Sequence, residues 1–204
     1  MKKIDFKKEL KHLYKPSAKI HEIVHAGPMN FIMIDGEGDP NTSQEFADAV
    51  EALFAVSYNL KFMIKRGSQQ VDYGVMPLEG LWYADDMTAF ESGSKEDWKW
   101  MLMIMQPKYV TKELYDEAVE NVKTKKNPAA LHKLRFENYT EGEAAQIMHI
   151  GPFSEEGPTV AGLHDFIEDQ GYKRTGLHHE IYLSDIRRAA PEKWKTVIRQ
   201  PVSN

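Results

Sequence analysis

The sequence predicts an α+β protein made of two tandem strand–helix–strand–strand modules related by a pseudo-twofold axis. Three observations predict it. Runs of alternating apolar residues and runs of helical periodicity follow one another in the same order twice. Trp100-Met-Leu-Met-Ile104-Met-Gln106-Pro107 aligns without gaps on Trp194-Lys-Thr-Val-Ile198-Arg-Gln200-Pro201, with four identities in eight positions. The chain has 204 residues, 42% of them hydrophobic, enough for one sizeable core shared by two small modules. A chance likeness of two β-rich strands ending at proline is the competing account of the match.

The elements follow in order. Asp5 to Tyr14 has the pattern of a short amphipathic helix, with Phe6, Leu10 and Leu13 near one face and Pro16 beyond its end. Ala18 to Ala26 and Asn30 to Asp35 read as strands, the second running into the turn Gly36-Glu37-Gly38. Thr42 or Ser43 can cap a helix from Gln44 to about Leu60, with Phe46, Val50, Leu53 and Phe54 at helical spacing. Strands are expected at Gln70–Pro77 and Leu81–Ala84, with a turn at Glu79-Gly80, and after a charged loop at Trp98–Gln106. A helix over 111–125 connects the modules, of which the first spans about 17–107 and the second about 131–204, all in a single domain. Leu134–Tyr139 and Ala144–Ile150 read as a hairpin across Glu141-Gly142. A helix from Thr159 to Gln170, stopped by Gly171, precedes the strands His178–Ser184 and Thr196–Gln200. Two half-sheets related by a pseudo-twofold axis would leave a central cleft, the kind of place where small ligands bind.

Composition removes several functions. The net charge is −5 and the basic residues are scattered, so direct nucleic-acid binding is not expected. Without cysteine there is no disulfide, thiolate nucleophile or cysteine metal site. The lysine-rich start lacks an apolar segment, and no run approaches the roughly 18 apolar residues of a membrane span. A cytoplasmic location is the expectation.

His21-Glu22-Ile23-Val24-His25 matches the zincin pattern H-E-x-x-H, which requires a helix to bring both histidines to one metal. Pro16 upstream and Gly27-Pro28 downstream leave no room for one, and a strand would hold the two histidines about 13 Å apart. No metal is expected there. Asp35-Gly-Glu-Gly-Asp39 has neither the spacing of a calcium loop nor the Gly-Lys-Ser/Thr of a phosphate loop, and no cofactor is expected.

The stronger signal is aromatic and acidic. Tyr73, Trp82, Tyr83, Trp98, Trp100, Tyr139, Phe153 and Tyr182 all fall in or beside expected strands, where each could be core or ligand wall. In His178-His179-Glu180-Ile181-Tyr182-Leu183, alternation sets His179, Ile181 and Leu183 on one face and His178, Glu180 and Tyr182 on the other. If the apolar set meets the covering helices, Glu180 faces the opposite side beside a tyrosine ring. That side is either a solvated face or an aromatic cleft, where burial would raise the carboxyl pKa.

These residues resemble a known family. Ala145-Gln-Ile-Met-His-Ile-Gly-Pro-Phe-Ser-Glu-Glu156, Glu180-Ile-Tyr-Leu-Ser-Asp185 and Thr196-Val-Ile-Arg-Gln-Pro201 look like the GyrI-like small-molecule-binding domain. Tyr73-Gly-Val-Met-Pro-Leu-Glu-Gly-Leu-Trp82 and Asp97-Trp-Lys-Trp100 resemble its stand-alone branch of cyclopropanoid cyclopropyl hydrolases. The resemblance implies a lipophilic, planar or cationic ligand held against a buried glutamate, here Glu180. It also implies a metal-independent hydrolase that opens activated cyclopropanes of DNA alkylators inside an aromatic cage. On that resemblance Glu180 is the base or water-orienting acid, and Tyr182 and Tyr139 are candidate oxygen donors. Tyr73, Trp82, Trp100, Phe153 and His178 are candidate ligand contacts. The segment before Ser17 is too short for the helix-turn-helix of the family's regulators. A non-catalytic sequestering protein, or a modulator of a partner protein, is the alternative.

Overall fold

A computed structural model describes residues 2–85 and 95–204. The chain runs β1 (Lys2–Ile4), α1 (Phe6–Glu9), α2 (Lys11–Tyr14), β2 (Glu22–Ala26), β3 (Met29–Glu37), α3 (Gln44–Arg66), β4 (Val71–Tyr73), β5 (Leu78–Tyr83), β6 (Lys99–Gln106), α4 (Lys112–Lys125), β7 (Arg135–Tyr139), β8 (Gly142–Ile150), α5 (Gly157–Asp169), β9 (Lys173–Arg174), β10 (His178–Tyr182) and β11 (Lys195–Ser203). The protein is mixed α+β, as the alternation of periods predicted. The charged loop expected after Ala84 lies largely outside the described residues.

Two compact units divide the chain, one of residues 1–6 and 29–139, the other of residues 7–28 and 140–204. The boundaries differ from the expected ones. β2, expected in the first module, hydrogen-bonds along β8 and belongs with the second unit. β7, expected in the second, pairs with β3 in the first, and α4 belongs to the first unit rather than linking the two. The hairpin expected between β7 and β8 is therefore not formed. Each strand has a longer apolar partner elsewhere, and Gly142, at φ +82°, turns the chain between them.

In the first unit the antiparallel order is β5–β6–β3–β7. In the second it is β10–β11–β8–β2, with β9 also on β11. Trp100 stands opposite Gly36 in the first unit. The backbone of Trp194 accepts a hydrogen bond from Gly151 N–H, one step beyond the Lys195–Ile150 pair, in the second. Gly36 is obligatory: a Cβ there would collide with the Trp100 indole.

Three expected elements differ. α3 continues to Arg66 because Leu53, Val56, Leu60 and Ile64 keep one buried stripe until Gly67. Its start is capped as expected, the Ser43 hydroxyl accepting from Phe46 N–H. Glu79-Gly80 is not a turn but the middle of β5, where the pairs Leu78–Ile104, Gly80–Leu102 and Trp82–Trp100 hold it extended. The expected amphipathic helix at 5–14 is two short turns, α1 and α2. Among the described residues, no helix is long and apolar enough to cross a membrane.

Candidate functional site

The second unit presents two faces. Pairing places Glu180 opposite Ile198 and Ile198 opposite Ile147, so these three share a face. Ile147 and Ile198 pack with Ala145 and Val202 against Leu163 and Ile167 of α5. Glu180 thus lies on the helix-bearing face, and the sequence reading that turned it away from the helices is corrected. The reason lies in the neighbours: β8 and β11 carry their isoleucines in register with Glu180, not with Ile181.

Along β10 the period of two brings His178, Glu180 and Tyr182 together. His178 Nε2 lies 3.1 Å from Glu180 Oε1, and the Tyr182 hydroxyl donates to Glu180 Oε2 at 2.7 Å. The side chains of His178 and Glu180 are 18% and 17% exposed, so the pair is sheltered but reachable. Burial is the largest influence on the Glu180 pKa and pushes it up. The His178 hydrogen bond and charge, the Tyr182 hydroxyl and the His179 charge push it down, and together they win. Glu180 is therefore ionised at neutral pH, and the raised pKa expected from burial alone is not found. No lysine or arginine pairs with it among the described residues.

Aromatic rings border this trio. Phe153, 37% exposed, meets Tyr182 edge-on at 5.6 Å and Trp194 at 5.0 Å. The Trp194 indole N–H donates to Ala189 O, fixing the ring at the end of the loop that follows β10. The other expected site residues are in the first unit. Trp100 and Trp82 pack around Phe46 of α3, Tyr73 is buried edge-on to Phe6, and Tyr139 is edge-on to Phe31. Burial pushes the Tyr73 phenol pKa far up.

The opposite face of the second unit holds a buried polar ladder that alternation alone did not reveal. His179, Arg199, Gln146 and Glu22 lie in register across four strands. Arg199 donates to Gln146 Oε1 at 3.0 Å, to Glu141 Oε2 at 2.9 Å and to Leu13 O at 2.6 Å. Glu141 Oε1 lies 2.8 Å from His179 Nδ1, and Gln146 Nε2 donates to Glu22 and to His12 O. Burial alone would raise the Glu141 pKa, but the His179 and Arg199 charges hold it at about 2. The sequence signal was a charged residue, Arg199, directly after the apolar pair Val197-Ile198 in a strand. The ladder also accounts for the zincin-like motif: its segment is extended from Glu22 on, Glu22 bonds Gln146, and His21 stacks on Phe166 at 5.2 Å. Among the described residues no cluster of three or more histidine or acidic side chains could hold a metal.

Comparison with known proteins decides the family. The model for the GyrI-like small-molecule-binding domain matches residues 21–203. The chain belongs to this family. Solved relatives of this GyrI-like chain include an uncharacterised conserved protein from Listeria innocua, 41% identical, with a TM-score of 0.90 over 98% of this chain and 100% of that one. A second Listeria innocua structure, described as a hydrolase, is also 41% identical, with a TM-score of 0.86 over 98% of this chain and 100% of that one. The C-terminal domain of EcmrR shares the fold at 13% identity, with a TM-score of 0.57 over 91% of this chain and 98% of that one. No curated protein matches. The GyrI-like match spans both units, including the β10 trio and the ladder behind it.

Proposed function

We propose that this protein binds planar, lipophilic molecules against Glu180 and hydrolyses those bearing an activated cyclopropane, protecting cells from DNA alkylators of that kind. The observation that carries the reading is an ionised, reachable carboxylate gripped by His178 and Tyr182 beside the rings of Phe153 and Trp194. The 41% identical Listeria innocua protein described as a hydrolase supports an enzyme. The shared strand order of the two units, and the matching glycine partners of Trp100 and Trp194, support a duplicated module with pseudo-twofold symmetry.

A cyclopropane conjugated to a carbonyl is strained and opens when a nucleophile attacks its ring carbon. Water oxygen bonds to that carbon, the ring C–C bond breaks, and its electron pair moves to the carbonyl oxygen. The water proton goes to the Glu180 cluster, and the oxygen is later protonated from solvent, so the product is the substrate plus one water. With its hydroxyl donating to Glu180, Tyr182 serves to orient the carboxylate rather than to polarise the substrate. Aromatic rings supply flat contact for a planar ligand.

A second reading rests on one observation: Glu180 is ionised yet has no lysine or arginine partner among the described residues. Such a carboxylate suits a lipophilic cation, and the protein would then sequester rather than convert. Incubation with a cyclopropane alkylator, followed by mass spectrometry, separates the two. The hydrolase reading expects a product heavier by one water; recovery of unchanged substrate from a bound complex would leave only the binder.

A further inference from the structure

We infer that Glu180 and His178 form a carboxylate–imidazole dyad in which Glu180 fixes the tautomer and His178 Nδ1 is the basic atom presented to the bound molecule. The inference rests on the site proposed above and names the atom within it that takes the proton. A carboxylate only accepts hydrogen bonds, so the 3.1 Å contact requires His178 Nε2 to carry the hydrogen. When the ring is neutral, its lone pair is then on Nδ1. No protein group engages this nitrogen among the described residues, and the side chain is 18% exposed.

Glu180 is poorly placed to be the base itself. Each of its oxygens already accepts one hydrogen bond, from His178 and from the Tyr182 hydroxyl. Those donors also hold its pKa below the usual range, and a carboxylate so stabilised binds a proton weakly. The division of labour is that of catalytic triads, where the acid orients the imidazole and steadies the imidazolium while the far nitrogen does the proton transfer. In hydrolysis, the proton released as water attacks the ring carbon passes to Nδ1. The resulting imidazolium faces the Glu180 charge and later returns the proton to the product oxygen through solvent.

The other groups around His178 agree. On its own strand are Glu180 and Tyr182. On α5, His164 lies close enough for the His178 charge to bear on it, with Asp165 beside it. On β9, Arg174 donates to His164 Nδ1 at 2.9 Å, which keeps that ring neutral. Burial, then the Arg174 and His178 charges, hold the His164 pKa at about 4, so it does not compete for the proton. Gln200, opposite the start of β10 on β11, is neutral.

The test has two arms on the full-length protein. Nitrogen-15 NMR of labelled histidine near neutral pH, without ligand, should find His178 in the Nε2–H tautomer, and Glu180→Gln should disturb that preference. A wild-type Nδ1–H tautomer overturns the dyad. In the second arm, turnover of a cyclopropane alkylator is followed against pH. His178→Gln should cost about 10²- to 10⁴-fold and erase the acid limb. Glu180→Gln should be slow but keep an acid limb, because His178 still takes the proton. If Glu180→Gln erases the limb and His178→Gln keeps it, Glu180 takes the proton and the inference fails. A wild-type protein that is inert overturns hydrolysis, while the tautomer still decides the dyad.

Discussion

Two glutamates in the second unit each meet a histidine from β10, and their fates differ. Glu141 lies behind the sheet, its oxygens taken by His179 and by Arg199, with both partners almost wholly buried. Glu180 lies on the helix side, its oxygens held by His178 and a tyrosine hydroxyl, and it stays partly open. A buried carboxylate closed by a full cation is neutralised in place and becomes structure. One held only by an imidazole and a phenol keeps an uncompensated charge for something else to use. Adjacent residues, His178 and His179, thus serve opposite purposes because the strand turns them to opposite faces.

The comparison breaks most readily at Glu141. Glu141→Gln leaves Arg199 buried without its counter-charge, and should lower stability by about 3–5 kcal/mol. Urea unfolding reads this as a lower midpoint with an unchanged slope. A loss below 1 kcal/mol would mean that the ladder is not the closed network described.

Acid should reveal the same carboxylate. Its folded pKa is depressed to about 2 from an ordinary 4.5. The stabilisation is complete above about 4.5 and is lost as pH falls through about 2. It amounts to about 3 kcal/mol. Unfolding midpoints between pH 5 and pH 2 should fall in wild type and much less in Glu141→Gln.

Tyr182→Phe sharpens the other side. It removes one hydrogen bond to a charged group, worth about 1.5–3 kcal/mol. The Glu180 pKa should rise towards its ordinary value, seen by carbon-13 NMR of the side-chain carboxyl, with Glu141 unmoved. An unchanged Glu180 titration would mean that the hydroxyl is not bound to it in solution.

How much of this the chain disclosed depends on which physical rule was involved. Strand alternation separated Glu180 from His179 because period two is a property of extended backbone. Alternation says nothing of which face a helix will cover; that was decided by Ile147 and Ile198 on partner strands distant in sequence. Likewise β7 and β8 were recognisable as strands, but their pairing depended on β3 and β11. Trp194 was visible as half of a repeat and not as a neighbour of Phe153, a contact set by the tertiary fold. The Glu141–Arg199 pair spans 58 residues and leaves no local signature beyond a charge in an apolar strand.

The most direct test of the central claim is the rate at which Glu180→Gln hydrates a neutral cyclopropane alkylator, measured on protein whose unfolding midpoint matches wild type. The substitution keeps size, replaces one of the two accepting oxygens by an amide NH2, and removes the charge that orients the site. Turnover should fall about 10²- to 10⁴-fold, while binding of the same planar molecule weakens far less because the rings provide most of its contact. Wild-type turnover by Glu180→Gln would contradict the account.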